Sequence, residues 1–221
     1  HQHGQPVRRH WLDRHGRRRV RHRLGQRRQI KPDTQRRARP AVHFQMSAVA
    51  GHAAVHDQNR KITAALGKPG DTRGPSSPVI DDTSRRDLPQ ILAIYNEVIR
   101  HSTAVYSEEE FTPARGEAWF DAKVGQGFPV SVARDASGIV GFGSFGEFRA
   151  WPCYRHSVEH SVHVRSDRRG RGIGRQLVVE LLARAAAASK HVMIAGIDAD
   201  NEVSIGLHQS LGFTIVGHVH E

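Results

Sequence analysis

Between Arg168 and Arg175 the chain reads R-R-G-R-G-I-G-R, four arginines threaded among three glycines. The alternating stretch S-V-H-V (161–164) precedes it, and Ile173, Leu177, Val178, Leu181 and Leu182 follow at helical spacing, so a strand ends, a loop turns and a helix begins. The first N–H groups of a helix have no intrahelical acceptor, and the aligned peptide dipoles leave partial positive charge at that end, so anions settle there. Gly170, Gly172 and Gly174 carry no side chain to keep a phosphate off the backbone, and Arg168, Arg169, Arg171 and Arg175 add cationic donors. The chemistry this spacing predicts is the holding of a pyrophosphate. Counting excludes two commoner owners. A dinucleotide fingerprint G-x-G-x-x-G needs glycine where Arg175 stands, and no G-K-[ST] triplet of a P-loop occurs. An ordinary glycine-rich turn is the alternative at this level.

The strand before the loop carries the titratable groups. Alternation sets Glu159, Ser161 and His163 on one side and Val158, Val162 and Val164 on the other. Cys153, His156, His160 and His163 invite a zinc reading, but His160 and His163 face opposite sides of a strand, which one tetrahedral centre cannot use. No metal is expected.

The elements that must position these groups begin at Val79. A short strand opens at Val79-Ile80. Leu88, Ile91, Leu92, Tyr95 and Ile99 then share a helical face, and Thr112-Pro113 caps a helix through Trp119-Phe120. Val130–Ala133 and Ile139–Phe145 flank the turn D-A-S-G as a hairpin. After the glycine loop and its helix come a strand at 192–197, a helix from about Glu202 to Leu211 and a strand at 213–216. This order predicts an α/β (α+β) domain with a mixed central sheet and flanking helices.

Residues 1–78 differ in texture. They hold 18 Lys and Arg against 4 Asp and Glu, whereas residues 79–221 hold 15 against 18, so the strong positive charge belongs to the first third. The segment is rich in Arg, His, Gln and Pro, shows no sustained period, and ends in the Gly/Pro/Ser-rich boundary 67–78. Such a composition buries too little apolar surface to offset its ordering entropy. The chain does not begin with Met, and the texture resembles GC-rich DNA translated out of frame. The expectation is therefore a low-complexity extension, disordered or non-native, followed by one domain at 79–221. An arginine-rich arm for nucleic acid is the functional alternative, although the aromatic residues Trp11 and Phe44 are not interleaved with the basic runs. A single cysteine excludes an intramolecular disulfide framework, and there is no apolar run of about 18 residues. The sequence predicts a cytoplasmic protein with no membrane partner.

Beyond these readings, S-V-H-V, then R-R-G-R-G-I-G, then I-D-A-D-N-E-V-S-I-G-L-H-Q-S-L-G-F resembles the GNAT superfamily of N-acetyltransferases with its R/Q-x-x-G-x-G/A motif. Y-R-H-S-V-E-H-S-V (154–162) and H-V-M-I-A-G-I-D-A-D-N (191–201) are similar to the phosphinothricin and methionine sulfoximine acetyltransferases, over residues 79 to 218. The resemblance implies a sheet splayed in its middle and acetyl-CoA as cosubstrate. The pantetheine arm would lie along Val162, His163 and Val164, and the pyrophosphate on the loop from Arg169 through Gly170, Arg171, Gly172, Ile173 and Gly174 to Arg175. Asn201 and Ser204 match positions near the cofactor arm, with an N-cap role for Asn201 as the alternative. Glu159 matches the family's general base, and His208 the histidine opposite it. Arg149 lies where the family places basic residues toward the anionic end of a small amino-acid-like amine substrate, with a solvated loop arginine as the alternative; Tyr154 and Tyr95 are further substrate-binding candidates, with a core role as the alternative for Tyr95. A homodimer is the assembly implied.

Two departures accompany the resemblance. Position 163, often aromatic in the family, is His163 here. The family also continues past Gly217 into a further strand, whereas this sequence stops at Glu221. The expectation is an unpaired sheet edge and an open pocket, with weaker acetyl-CoA binding. Two readings stand beside acetyl transfer: nucleic-acid binding through the basic arm, and an acetyl-CoA-binding domain with impaired catalysis.

Overall fold

The computed structural model describes residues 42–49, 78–105 and 107–220, with the backbone alone at 42–49, 219 and 220. Contacts divide the chain into residues 1–37, which lie outside the described ones, and residues 38–221. The second unit holds one mixed sheet of seven strands. These are β1 (Val42–Val49), β2 (Val79–Asp82), β3 (Val130–Asp135), β4 (Gly138–Glu147), β5 (Ser157–Val164), β6 (Val192–Asp198) and β7 (Thr214–His220). Their order is β2-β3-β4-β5-β6-β1-β7. Every neighbouring pair is antiparallel except β5 and β6, which run parallel.

The helices fall where the sequence predicts them, although the buried stripe of the first keeps only Leu88 and Ile91 of the predicted face and leaves Leu92, Tyr95 and Ile99 half-buried. Helix α1 (Leu88–His101) buries Leu88, Ile91, Ile94 and Val98, one stripe of its surface. Helix α2 (Pro113–Gly125) starts where the Thr112 hydroxyl accepts from Arg115 N–H at 3.2 Å, with proline in the first turn, where its missing N–H costs nothing. Helix α3 (Ile173–Ala187) buries Ile173, Leu177, Val178, Leu181 and Ala185, and α4 (Glu202–Ser210) follows β6.

The sheet has two differently covered faces. On one, Leu88, Ile91 and Ile94 of α1 and Phe120 of α2 pack on Val130, Val132, Ile139 and Phe142. On the other, Val178, Leu181 and Ala185 of α3 join Leu211 and Phe213 over Phe145, Val158, Met193, Ala195 and Ile197. Among the described residues no helix is long and apolar enough to cross a membrane.

One strand forms where the sequence reading placed none. Strand β1 lies inside the segment assigned to a low-complexity extension, and it occupies the position between β6 and β7. It pairs antiparallel with β6 from His43↔Asp198 to Val49↔Val192, and antiparallel with β7 from Val42↔His220 to Ser47↔Thr214. The edge of β6 away from β5 is therefore paired, by a strand from the segment that the sequence reading placed before the domain. The signal was local: Val42, Phe44, Met46 and Ala48 alternate with His43, Gln45 and Ser47, a period of two that the charge of the surrounding segment masks. The remainder of residues 1–77 lies outside the described residues.

Leu181 has no solvent exposure, and its side chain seals α3 to the sheet. Leu181→Ala is expected to cost about 2–5 kcal/mol through lost transfer energy and a residual cavity, read as a lower urea midpoint at unchanged m-value. An unshifted midpoint would contradict the packing of α3 described above.

Candidate active site

The site begins where parallel pairing stops. Strands β5 and β6 are in register from Ser157↔Val192 to His160↔Ala195, and beyond that they part. Arg165 N–H donates to Val140 O at 2.9 Å, which aims residue 165 at β4. Period-two alternation then points the N–H and C=O of Val162 and Val164 away from β4, into the gap. Beyond the segment after α1, the Thr103 hydroxyl hydrogen-bonds the Asp198 carboxylate at the far end of β6.

At the Val164 end of the gap lies the glycine loop. A short 3-10 turn (Ser166–Arg168) leads to Gly170 at φ 74° and to Gly172 at φ 78°, the left-handed residue from which α3 starts. A Cβ at Gly170 or Gly172 would meet nothing within 4 Å, so the backbone there faces open space. The arginines divide the work. Arg168 pairs with Asp135 at 3.2 Å and Asp167 at 2.6 Å, a structural commitment the sequence did not show. Arg169 Nε donates to Val164 O at 3.1 Å, and Arg175 donates to the Ser210 hydroxyl at 2.7 Å. Exposed Arg171 has no ion pair or hydrogen bond among the described residues.

On the α1/α2 face, Glu159 is exposed while His163 is buried. The His163 ring stands edge-on to Tyr95 at 5.2 Å and tilted to Phe142 at 5.1 Å. Tyr95 also meets Phe111 at 4.8 Å, and burial raises its phenol pKa above the ordinary value. Sequence reasoning missed Lys123, whose Nζ donates to Phe145 O at 3.1 Å near Gly146, the register partner of Glu159. Burial lowers the Lys123 pKa, and the charge of Glu159 opposes that shift. Only contacts between chain-distant residues could have revealed it.

His208 is the residue the structure moves. It lies on the opposite face from Glu159, buried on α4, with its Nδ1 2.7 Å from Ser204 O and its Nε2 3.3 Å from Nε2 of His160. The sheet separates it from the carboxylate. The Ser204 carbonyl can only accept, so His208 Nδ1 carries the proton and its bare Nε2 accepts from His160. That leaves His160 Nδ1 buried without a partner among the described residues. Asn201 takes its N-cap role, accepting from Ser204 N–H at 3.1 Å. Arg149 and Tyr154 gather about Phe148 after β4, the guanidinium 4.7 Å from the Phe148 ring and the two aromatic rings 5.7 Å apart.

The buried imidazoles give stability a pH dependence. Burial drives His160 down to about 3, helped by the charges of His208 and His163. Burial takes His163 down to about 4, helped by Arg169. His208 is lowered by burial against its hydrogen bond to Ser204. Each folded value lies below the unfolded value of 6.5, so the unfolded chain takes up protons that the folded chain refuses. Stability is complete above about pH 6.5 and falls as the pH drops toward 4. Urea midpoints across that window check this, and His160→Phe is expected to remove part of the slope. A flat profile would contradict the neutral buried pair.

The model of the acetyltransferase (GNAT) family matches residues 91–213. An L-methionine sulfoximine/L-methionine sulfone acetyltransferase of Pseudomonas paraeruginosa is 48% identical over 141 residues, covering 63% of this chain and 82% of its own. The yncA protein of Salmonella typhimurium, solved with its cofactor acetyl-CoA, superposes with a TM-score of 0.62 at 37% identity, covering 64% of this chain and 82% of its own. A phosphinothricin acetyltransferase from Sinorhizobium meliloti in complex with acetyl-CoA gives a TM-score of 0.62 at 34% identity, with 64% and 77% covered. The splayed strands, the glycine loop at the start of α3 and these matches lead to one conclusion: the chain belongs to the acetyltransferase (GNAT) family and is an acetyl-CoA-dependent N-acetyltransferase.

Proposed function

We propose that this enzyme acetylates the primary amine of a small amino-acid-like substrate of the methionine sulfoximine, methionine sulfone or phosphinothricin type, with Glu159 taking the proton of the amine. One arrangement carries the reading: Glu159, the edge of Val162 and Val164 that β6 leaves unpaired, and the glycine loop follow one another along a single strand and the turn that ends it. The substrate class rests on the relatives, which act on these amines.

The residues present fit acetyl-CoA. Gly170 and Gly172 leave open space beside backbone N–H groups at the start of α3, and Arg171 stands exposed there. The N–H and C=O groups of Val162 and the N–H of Val164 can pair with an amide-bearing arm as a sheet edge pairs with an added strand, the Val164 carbonyl already accepting from Arg169 Nε. When bound, acetyl-CoA supplies an acyl group already activated as a thioester, whose transfer forms an N–C bond, breaks the C–S bond and leaves the CoA thiol.

An ammonium has no lone pair, and an amino acid's amine is mostly protonated near neutrality, so a base must act first. Exposed Glu159 holds that proton at its carboxylate oxygens, directly or through water. Val162 N–H is the donor that polarises the acyl carbonyl. Tyr95, on the face of Glu159, lines the amine side, and Arg149 and Tyr154 form part of the rim. His208 supports α4 through His160 and takes no part in proton transfer.

The test is acetyl-CoA consumption by the full chain with phosphinothricin, methionine sulfoximine and methionine sulfone. Glu159→Gln is expected to lower kcat by about 100-fold or more, the usual worth of a general base, while calorimetry shows unchanged acetyl-CoA affinity. Unchanged kcat would remove Glu159 as the base, and consumption with none of the three amines would remove the substrate class.

A further inference from the structure

Lys123 and Glu159 stand on one face of the sheet with opposite charges and are not in contact. Gly146 and Glu159 are direct register partners across β4 and β5, so their side-chain directions share a face. The Lys123 ammonium fills the space above Gly146, where a Cβ would collide with it. It is held there by the Phe145 carbonyl at 3.1 Å and by the Phe128 ring, whose centroid is 5.7 Å away. No Lys123–Glu159 ion pair forms within 4.0 Å, yet the charge of Glu159 is felt at Nζ. A half-buried ammonium without a counter-ion in contact is costly, and among the described residues no carboxylate lies within 4.0 Å of this one.

We propose that Lys123 anchors the carboxylate of the amine substrate, resting on the reading of Glu159 as the base. In an α-amino acid the ammonium and the carboxylate are bonded to the same carbon. When the ammonium meets Glu159, the carboxylate beside it falls to the cation beside Glu159. The enzyme's pair and the substrate's pair are then complementary, and the carboxylate supplies the missing counter-ion through a charge-assisted hydrogen bond. Lys123 thereby selects amino acids over simple amines. Arg149, exposed and laid on Phe148, serves the rim instead.

The carboxylate does not react, so its anchor binds ground state and transition state alike, and losing it raises KM at constant kcat. The experiment uses the full chain, whichever of the three amino acids is turned over fastest, and the primary amide of that compound. Lys123→Gln is expected to raise KM for the amino acid about 10-fold or more, with kcat and the KM of the amide changed less than about 2-fold. Lys123→Arg should recover most of the loss. Gly146→Ala keeps the charge but displaces it, so it should raise KM with the same preference for the carboxylate-bearing compound; it carries the test if Lys123→Gln does not fold. Acetyl-CoA affinity by calorimetry should match the parent in each folded variant. A fall in kcat that is equal for acid and amide, or a KM that does not distinguish them, overturns the proposal. A failure of the base reading looks different: Glu159→Gln keeps its kcat while the KM effect of Lys123→Gln is still read in the parent background. If none of the three amino acids is acetylated, both readings fall.

Discussion

Strands β5 and β6 are bonded to each other only as far as His160 and Ala195, and the site exists because they then part. Backbone N–H and C=O groups inside a sheet demand acceptors and donors, so parted strands leave a demand that water or a ligand must meet. Val162 and Val164 direct that demand into the gap, and α3 starts at the same end with its own unpaired N–H groups. His160 marks the point of parting. As the last β5 residue in register with β6, it puts a neutral imidazole under α4, where His208 and Phe213 close over it. Packing on one side of β5 thus supports an opening along its edge.

The sheet also sorts its polar residues by face. Alternation sends Glu159 and His163 toward α1 and α2, and His160 toward α4. Two residues adjacent in sequence therefore have opposite fates: Glu159 is exposed on one face, while His160 is buried on the other and loses its charge to burial. His208 belongs with the second group. The family resemblance set His208 opposite Glu159, and the intervening sheet makes it a partner of His160.

The elements were readable where the pattern was local. Leu88 and Ile91 share a helical face whatever lies beside them, the Thr112-Pro113 pair starts a helix by its own chemistry, and glycine at 172 suits a left-handed residue before α3. Strand β1 shows the opposite weakness. Its alternation of Val42, Phe44, Met46 and Ala48 is as regular as that of β5, but an eight-residue strand needs neighbours, and these are Val192–Asp198 and Thr214–His220, far away in the chain. Composition averaged over 78 residues conceals a pattern of eight.

By itself the sequence determined the order of helices and strands, the glycine loop that turns from β5 into α3 and the face on which Glu159 lies, because helix periodicity, strand alternation and glycine's access to positive φ act within a few residues. Tertiary structure alone decided which strand sits between β6 and β7, that Arg168 is spent on Asp135 and Asp167, that His208 pairs with His160, and that Lys123 stands beside Glu159. The reason is the same in each case. These contacts join residues separated by many positions, and their energy depends on burial and distance, which exist only once the chain has folded.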